Sequence, residues 1–232
     1  MFLLGIGAIY ASYGTLNLAE LGQVIAAKGA LKPLALAGLA FLTATFLTKS
    51  AVFPFHFWQP DFHAAAPTPV SAMLSSVVVK MGVYGFLRMT SLLFVSEAET
   101  LRSLLIVLGV VGVIYGGFGA AGTHNAKRML AYSTLSQIGF ILVGIGIGTP
   151  LSLAAALVFT FNHALIKAAM LMLAGAMASR APVKSAAFDV LLGVGKTSPA
   201  AGLLFLLGGM ALAGIPPTNG FISKLGIFWS GI

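Results

Sequence analysis

Long apolar runs divide this sequence, and they restrict its fold more than any other feature. A helix needs about 20 apolar residues to cross the roughly 30 Å core of a bilayer, and the 232 residues contain about seven such runs. Only 8% of the residues are charged, against roughly 25% in soluble domains, so the apolar surface must face lipid. We therefore predict an all-α, polytopic transmembrane helical bundle that forms a single membrane domain over residues 1–232. The predicted helices cover residues 1–14, 33–57, 69–95, 103–122, 128–147, 151–178 and 200–231.

The last predicted helix is interrupted. Gly214, Pro216 and Pro217 fall within an apolar run that begins at Leu203. Because proline lacks an amide donor and clashes with the preceding turn, the helix must break there. In a bilayer, a broken helix survives only where protein or a water-filled cavity satisfies the freed backbone groups. A functional interior is one interpretation of this break, and a simple kink is the alternative.

Two distant segments repeat one residue pattern. Phe46–Phe53 and Phe221–Phe228 both begin with phenylalanine, an aliphatic residue, a hydroxyl residue and lysine, and both end in phenylalanine. An internal repeat leaves such a pattern, and transporter sites lie near repeat interfaces. The segments fall on the second and seventh predicted helices, which cross the membrane in opposite directions. We therefore expect an inverted repeat.

Acidic and basic residues are distributed differently along the chain. An ionised lysine at the bilayer centre costs about 3 kcal/mol on insertion scales. Snorkelling toward the membrane surface is the alternative explanation for each lysine, but apolar residues flank both Lys49 and Lys224. Because burial favours the neutral amine, a buried lysine can accept and release a proton. All five acidic residues fall in the predicted connections between helices: Glu20, Asp61, Glu97, Glu99 and Asp189. Four lysines instead fall within the predicted apolar helices: Lys49, Lys80, Lys167 and Lys224.

His163 and Lys167 are four residues apart in a predicted helix. Residues at this spacing share a helix face, roughly 5 to 6 Å apart at Cβ. Histidine titrates near neutral pH and carries two ring nitrogens, so it can accept a proton on one side and donate on the other. A satisfied structural histidine is the alternative, but Asn162 beside it and Lys167 one turn away favour a relay.

The remaining motifs exclude several kinds of site. Without cysteine, the chain cannot hold a thiolate-ligated iron–sulfur cluster, so any redox chemistry must lie on other subunits. His56 and His63 flank Asp61 without a metal-site spacing, and we interpret the segment up to Pro69 as a rigid loop and helix start. The net charge of +8 reflects cations at helix ends, where they set topology or meet anionic lipid. We expect no cofactor, no metal ion and no nucleic acid.

Several motifs together resemble the antiporter-like subunits shared by respiratory complex I, membrane-bound hydrogenases and Mrp-type cation/proton antiporters. They occur in the family's order and cover essentially the whole chain. The Phe-His-Phe-Trp-Gln-Pro-Asp stretch and the Thr15-Leu16-Asn17 loop are most similar to Mrp D subunits. The motifs are Lys49–Asp61, Ala66–Ala72, Lys80–Tyr84, Lys127–Phe140, Asn162–Ala164, Gly214–Pro217 and Gly220–Phe221.

The resemblance implies roles for single residues. Lys49 matches the central lysine of a first broken helix, which breaks at Pro54, and Lys80 the lysine of the next helix. His163 and Lys167 match the relay helix of the second half, and Lys224 the terminal lysine of the second broken helix. The family has two inverted-repeat halves, and this chain corresponds to helices from near the sixth to within the twelfth of about fourteen. It therefore resembles a fragment of a longer protein.

Two departures from the family affect the proposed route. The family's essential glutamate lies on the helix before this chain begins and has no counterpart here, so the first half-channel is incomplete. Gln137 occupies a position where some members have histidine.

The resemblance predicts a proton-translocating subunit of a multi-subunit ion-pumping complex, with no covalent chemistry of its own. Expected partners are other membrane subunits of a hetero-oligomeric complex, the lipid bilayer, and protons, with sodium undecided. The expected location is the prokaryotic inner (plasma) membrane. A non-conducting structural subunit or truncated paralogue is one alternative, and a quinone-binding redox subunit is another. The sequence does not decide between a complex I, a hydrogenase and an Mrp host.

Overall fold

The computed structural model describes residues 1–29, 31–181, 183 and 185–231. Within these residues the chain forms twelve helices and no strand, as the all-α prediction requires. The helices are α1 (Phe2–Tyr13), α2 (Leu18–Lys28), α3 (Pro33–Lys49), α4 (Trp58–Ala65), α5 (Thr68–Leu93), α6 (Ala98–Ala121), α7 (Ala126–Ile147), α8 (Pro150–Arg180), α9 (Phe188–Leu191), α10 (Val194–Thr197), α11 (Pro199–Ala213) and α12 (Asn219–Trp229).

Four helices, α5 to α8, are long and apolar enough to cross a membrane. The count rises to six if two bent pairs are each one crossing: α1 with α2, bent by 58°, and the helical segment Phe188–Lys196 with α11, bent by 116°. The apolar helix α3 is shorter, at 17 residues. The predicted bounds of α5, α7 and α8 agree with the structure to within two residues, because unbroken apolar runs mark these helices.

The first third of the chain differs most from the prediction. The helix predicted over 33–57 ends at Lys49, and α2 was not predicted. The segment interpreted as a rigid loop contains the helix α4. Its Pro60 lies in the first turn, where helical amides have no intrahelical partner, so the proline costs no hydrogen bond there. That part of the prediction was therefore wrong.

Helix α7 is the interior helix of the bundle. Of its most apolar 18-residue window 72% is buried, against 22% for the neighbouring α6. Close glycine contacts join the two helices: a Cβ added to Gly109 would lie 2.7 Å from the Gly139 carbonyl oxygen, and one added to Gly116 would lie 2.8 Å from that of Tyr132. Small residues allow such backbone approach between membrane helices. Helix α8 packs on α7 and also contacts α5, α11 and α12.

Candidate functional site: lysines and histidines inside the bundle

The interruption after α11 places a lysine against the end of a helix. Gly214 ends α11 in the left-handed conformation, with φ 81°, and Pro216 and Pro217 follow before α12 begins. From α12, the Lys224 Nζ donates to the carbonyl oxygens of Leu212, at 2.8 Å, and of Ala213, at 3.2 Å. The last carbonyls of a helix lack intrahelical partners and carry its partial negative charge. Lys224 therefore neutralises the end of α11 without an acidic partner.

Two aromatic rings complete the surroundings of Lys224. Its Nζ lies 5.0 Å from the ring centroid of Phe140 and 5.6 Å from that of Phe159. Cations within about 6 Å of a ring face are attracted by its quadrupole, most strongly where water is excluded. The rings and the α11 carbonyls together explain how an ammonium group sits in an apolar setting.

His163 and Lys167 lie on one face of α8, and both are fully buried. The Lys167 Nζ donates to the Leu130 carbonyl oxygen of α7 at 2.7 Å. Neither ring nitrogen of His163 has a hydrogen-bond partner among the described residues. The amines of Lys80, Lys167 and Lys224 all lie near enough to act electrostatically on this imidazole. His163 is therefore within electrostatic range of all three lysines.

Lys80 approaches the same interior from α5. It follows a π-helical turn, Leu74–Val78, and its Nζ donates to the Ser75 carbonyl oxygen within that turn. The side chain is buried. A cavity of about 200 Å³ adjoins Lys80, with Thr160 and Ile141 also in its wall. This volume has room for several waters, each of which occupies about 30 Å³ in the liquid, although its wall is mostly apolar.

Lys49 lies apart from these residues. It is the last residue of α3 and is exposed, beside an open groove lined by Phe2, Thr45 and Trp58. No hydrogen bond or ion pair binds its amine to any described residue, and the expected burial of Lys49 is absent in this chain. Residues 50–57, including Pro54, separate α3 from α4. The Trp58 indole Nε1 donates to the Thr48 carbonyl oxygen at 3.2 Å across this interruption.

The acidic residues stay outside the buried interior. None of the five is buried, although Glu20, Asp61, Glu99 and Asp189 lie in helices rather than in the predicted connections. Asp61 forms an ion pair with Arg128. Next to it, the Lys127 Nζ donates to the Ala66 carbonyl oxygen at 3.0 Å. These contacts fasten α4 to the start of α7 and leave the buried lysines without an acidic partner among the described residues.

Sequence reasoning missed three residues of this interior. His63 was placed in a loop, yet on α4 it is fully buried and lies within electrostatic range of Lys80, Lys127 and Lys167. Ser75 and Thr134, both fully buried, form a hydrogen bond between α5 and α7. The histidine was visible as a second imidazole seven residues after His56, but only a helix at 58–65 turns it inward. Nothing in the sequence marks two hydroxyls 59 residues apart as partners.

The match to a known family covers the whole chain. The profile described as "NADH:quinone oxidoreductase/Mrp antiporter, TM" matches residues 1–232. NAD(P)H-quinone oxidoreductase chain 4-2 of Synechocystis is 39% identical over 225 residues, which are 95% of this chain and 38% of that protein. The D subunit of the Na⁺/H⁺ antiporter of Bacillus subtilis is 32% identical over 231 residues, 100% of this chain and 46% of that one.

Two solved structures are similar to this chain over almost its whole length. A chain of an archaeal membrane-bound sulfane sulfur reductase superposes with a TM-score of 0.89 at 32% identity, covering 99% of this chain and 46% of that one. A chain of the Mrp complex from Dietzia gives 0.87 at 28% identity, with coverages of 99% and 42%. The chain thus spans less than half the length of each of these relatives. The resemblance found in its motifs is confirmed, and the chain, an integral membrane protein, belongs to the NADH:quinone oxidoreductase/Mrp antiporter transmembrane family.

Proposed function

We propose that this chain is part of a proton-translocating, antiporter-like subunit of a multi-subunit ion-pumping membrane complex. The observation that carries the proposal is an interior in which Lys80, His163 and Lys167 are buried and the half-buried Lys224 lies within electrostatic range of His163, while none of the chain's acids is buried. The names of the relatives, a quinone oxidoreductase chain and a sodium/proton antiporter component, support the same activity. The chain itself carries out no covalent chemistry in this proposal.

Repulsion between like charges drives the transfer. Neighbouring ammonium groups repel one another more strongly in a low-dielectric interior than in water. A proton that arrives on Lys80 therefore favours departure of the proton from Lys167, and a proton on Lys167 acts in turn on Lys224 through His163. Each transfer leaves one lysine neutral, which reduces the charge that the apolar interior must accommodate.

Backbone oxygens and water supply the intermediate positions. Lys167 and Lys224 donate to carbonyl oxygens, and these acceptors do not take the proton away. His163 has two unpartnered ring nitrogens among the described residues, so it can bind a water on each side and pass a proton between them. The cavity beside Lys80 gives waters room next to that amine, although His163 is not among the residues of its wall.

Lys49 has a different part in this proposal. Its amine faces an open groove of about 510 Å³ rather than the interior. We infer that a carboxylate on residues or subunits outside this sequence pairs with it, because an opposite charge at variable distance switches the proton affinity of a lysine. Lys49 and that acid would form the first step of the route.

Membership of the family supports our inferences about the domain, the location and the partners. We infer that residues 1–232 form one membrane domain that corresponds to family helices six to twelve, in the inner membrane of a prokaryote. Its partners are other membrane subunits and lipid, and the transported ion is the proton. Sodium transport distinguishes an Mrp host from a quinone-linked one.

The test uses the full-length protein in its host complex, in inverted membrane vesicles. Lys80→Met, Lys167→Met and Lys224→Met each remove the titratable amine and keep most of the side-chain volume. We expect each to reduce proton transport at least about a hundredfold, since a lost proton-transfer group costs on this scale. Lys196→Met, at an exposed residue of α10, is the matched control.

The outcomes separate the alternatives. Native gels of the solubilised complex show whether each variant assembles. Normal transport in all three assembled variants would contradict the proposal and favour a non-conducting structural subunit. Labelling of this chain by a photoreactive quinone, with transport unaffected by the lysines, would favour a redox subunit instead.

A further inference from the structure

Two hydroxyl groups meet in the interior between α5 and α7. The Oγ of Ser75 and the Oγ1 of Thr134 are 2.8 Å apart, and both residues are fully buried. Because the Thr134 hydroxyl donates its one proton to the Leu130 carbonyl oxygen, the Ser75 hydroxyl is the donor in this pair. This pair is a polar bridge between two helices whose other buried contacts are largely apolar.

Each end of this bridge lies beside a buried lysine. On the α5 side, the Lys80 Nζ donates to the carbonyl oxygen of Ser75 itself. On the α7 side, the Lys167 Nζ and the Thr134 Oγ1 both donate to the Leu130 carbonyl oxygen, at 2.7 and 2.9 Å. Hydrogen-bonded groups of Ser75, Thr134 and Leu130 thus connect the Lys80 amine to the Lys167 amine.

The local helix geometry brings Lys80 to this position. Ser75 lies in the π-helical turn that precedes Lys80, and the lysine reaches back five residues to that turn's carbonyl. Single π turns within α-helices are frequent at functional sites. A flexible four-carbon stem lets the lysine amine move from the Ser75 carbonyl to the Ser75 hydroxyl of the same residue.

We propose that Ser75 and Thr134 form a hydroxyl relay that carries a proton between Lys80 and Lys167. The inference rests on the proposed function and specifies one of its steps. The Lys80 ammonium gives a proton to the Ser75 Oγ while the Ser75 hydroxyl proton passes to the Thr134 Oγ1. The Thr134 hydroxyl proton passes to the neutral amine of Lys167. Lys80 becomes a neutral amine, Lys167 an ammonium, and both hydroxyls remain neutral and reset by rotation.

A purely structural hydrogen bond between the helices is the competing explanation, and conservative variants distinguish the two. Thr134→Val removes the hydroxyl at nearly constant volume, and Thr134→Ser keeps the hydroxyl but removes a methyl group. Ser75→Ala and Ser75→Thr form the second pair. The control is Ser76→Ala, because the Ser76 hydroxyl bonds only within its own helix, to the Met73 carbonyl at 3.4 Å.

The experiment measures proton transport by the full-length protein in its host complex, normalised to the assembled amount. We expect Thr134→Val to lower the transport rate at least about tenfold, the scale of a lost proton-transfer group. We expect Thr134→Ser and Ser75→Thr to retain transport within about twofold of wild type. Ser75→Ala should be less damaging than Thr134→Val, since the vacated volume can admit a water.

Three results would overturn the relay. Normal transport by Thr134→Val, in preparations where Lys80→Met and Lys167→Met are inactive, would exclude the hydroxyl step and leave the proposed function intact. Equal loss in Thr134→Ser and Thr134→Val would assign the effect to side-chain shape rather than to the hydroxyl. If Lys80→Met, Lys167→Met and Lys224→Met all transport normally, the proposed function fails, and the relay fails with it.

Discussion

Phe46–Phe53 and Phe221–Phe228 carry the same order of residue types, yet their lysines have opposite surroundings. Lys49 ends α3 before an interruption and is exposed, with no bonded partner among the described residues. Lys224 lies in α12 after an interruption and donates to two carbonyls at the end of α11. The repeated pattern therefore predicts the position of the lysine within its segment. The hydrogen-bond partners of its amine depend instead on whether a helix end lies beside it.

The helix ends at the two interruptions also have different partners. At the first, the indole of Trp58 caps a carbonyl of α3. At the second, Lys224 occupies the comparable position on α11. At the first interruption the neutral indole of Trp58 is the donor, so Lys49 has no carbonyl partner there. At the second interruption the donor is Lys224 itself. The predictions below test this difference, from the largest expected effect to the smallest.

We expect the largest loss of stability at Gly220, where α12 packs closely against α11. A Cβ on Gly220 would overlap the Ala211 carbonyl oxygen, so Gly220→Ala must displace α12 from α11. We expect a loss of about 3 kcal/mol in the free energy of unfolding, at the upper end for overpacking. Thermal unfolding of the solubilised protein measures it. Thr45→Ala, at the matching position before the first segment, is the control, and equal losses would contradict the comparison.

The second largest effect is the difference in the free energy of unfolding between substitution of Lys224 and substitution of Lys49. Lys224→Met removes charged donors from two carbonyls, and we expect it to reduce the free energy of unfolding by about 2 kcal/mol. Lys49→Met removes no observed contact, so its change should stay within about 0.5 kcal/mol. The same unfolding measurement compares them. A larger loss for Lys49→Met than for Lys224→Met would reverse our interpretation of the two segments.

Trp58→Phe tests the cap of the first interruption. The substitution keeps an aromatic ring but removes the Nε1 donor to the Thr48 carbonyl. We expect a loss of about 1 kcal/mol in unfolding free energy, the net value of a neutral hydrogen bond. Hydrogen exchange should show faster opening at the end of α3, with α11 unchanged. Equal opening at both helix ends would contradict a local role.

The smallest effect concerns the aromatic ring over Lys224. Phe140→Leu keeps an apolar side chain and removes the ring face that lies 5.0 Å from the amine. Beyond the cost of lost volume, we expect a change of about 0.5 to 1 kcal/mol that depends on the lysine. A double-mutant cycle with Lys224→Met isolates it in unfolding experiments. Additive losses would exclude the cation–ring contact as a stabilising one.

The sequence predicted the long helices better than the short ones. Apolar runs with no proline beyond the first turn mark α5, α7 and α8, and the bilayer length requirement fixes their extent. Helix α2 has only 11 residues and includes Glu20 and Gln23, so no long apolar run marks it. Helix α4 contains Pro60 in its first turn, where our expectation of a loop misjudged what a helix start tolerates.

The candidate site was predictable only where its members share a helix. The four-residue spacing of His163 and Lys167 places both on one face of α8, and the structure has them there. The bond between Ser75 and Thr134 depends on how α5 packs against α7, which no local pattern encodes. The exposure of Lys49 likewise depends on which other segments lie beside α3. Their roles in proton transfer remain predictions.

Lys80, Lys167 and the half-buried Lys224 donate to main-chain oxygens, at Ser75, Leu130 and the end of α11. A peptide oxygen keeps its dipole at every pH of interest, and no side-chain substitution removes it. It attracts an ammonium group more strongly than a neutral amine. Loss of a proton therefore also loosens the lysine from its backbone anchor. Protonation and side-chain position are therefore coupled, and in the proposed route each proton transfer would release one lysine side chain from its carbonyl oxygen and bind another.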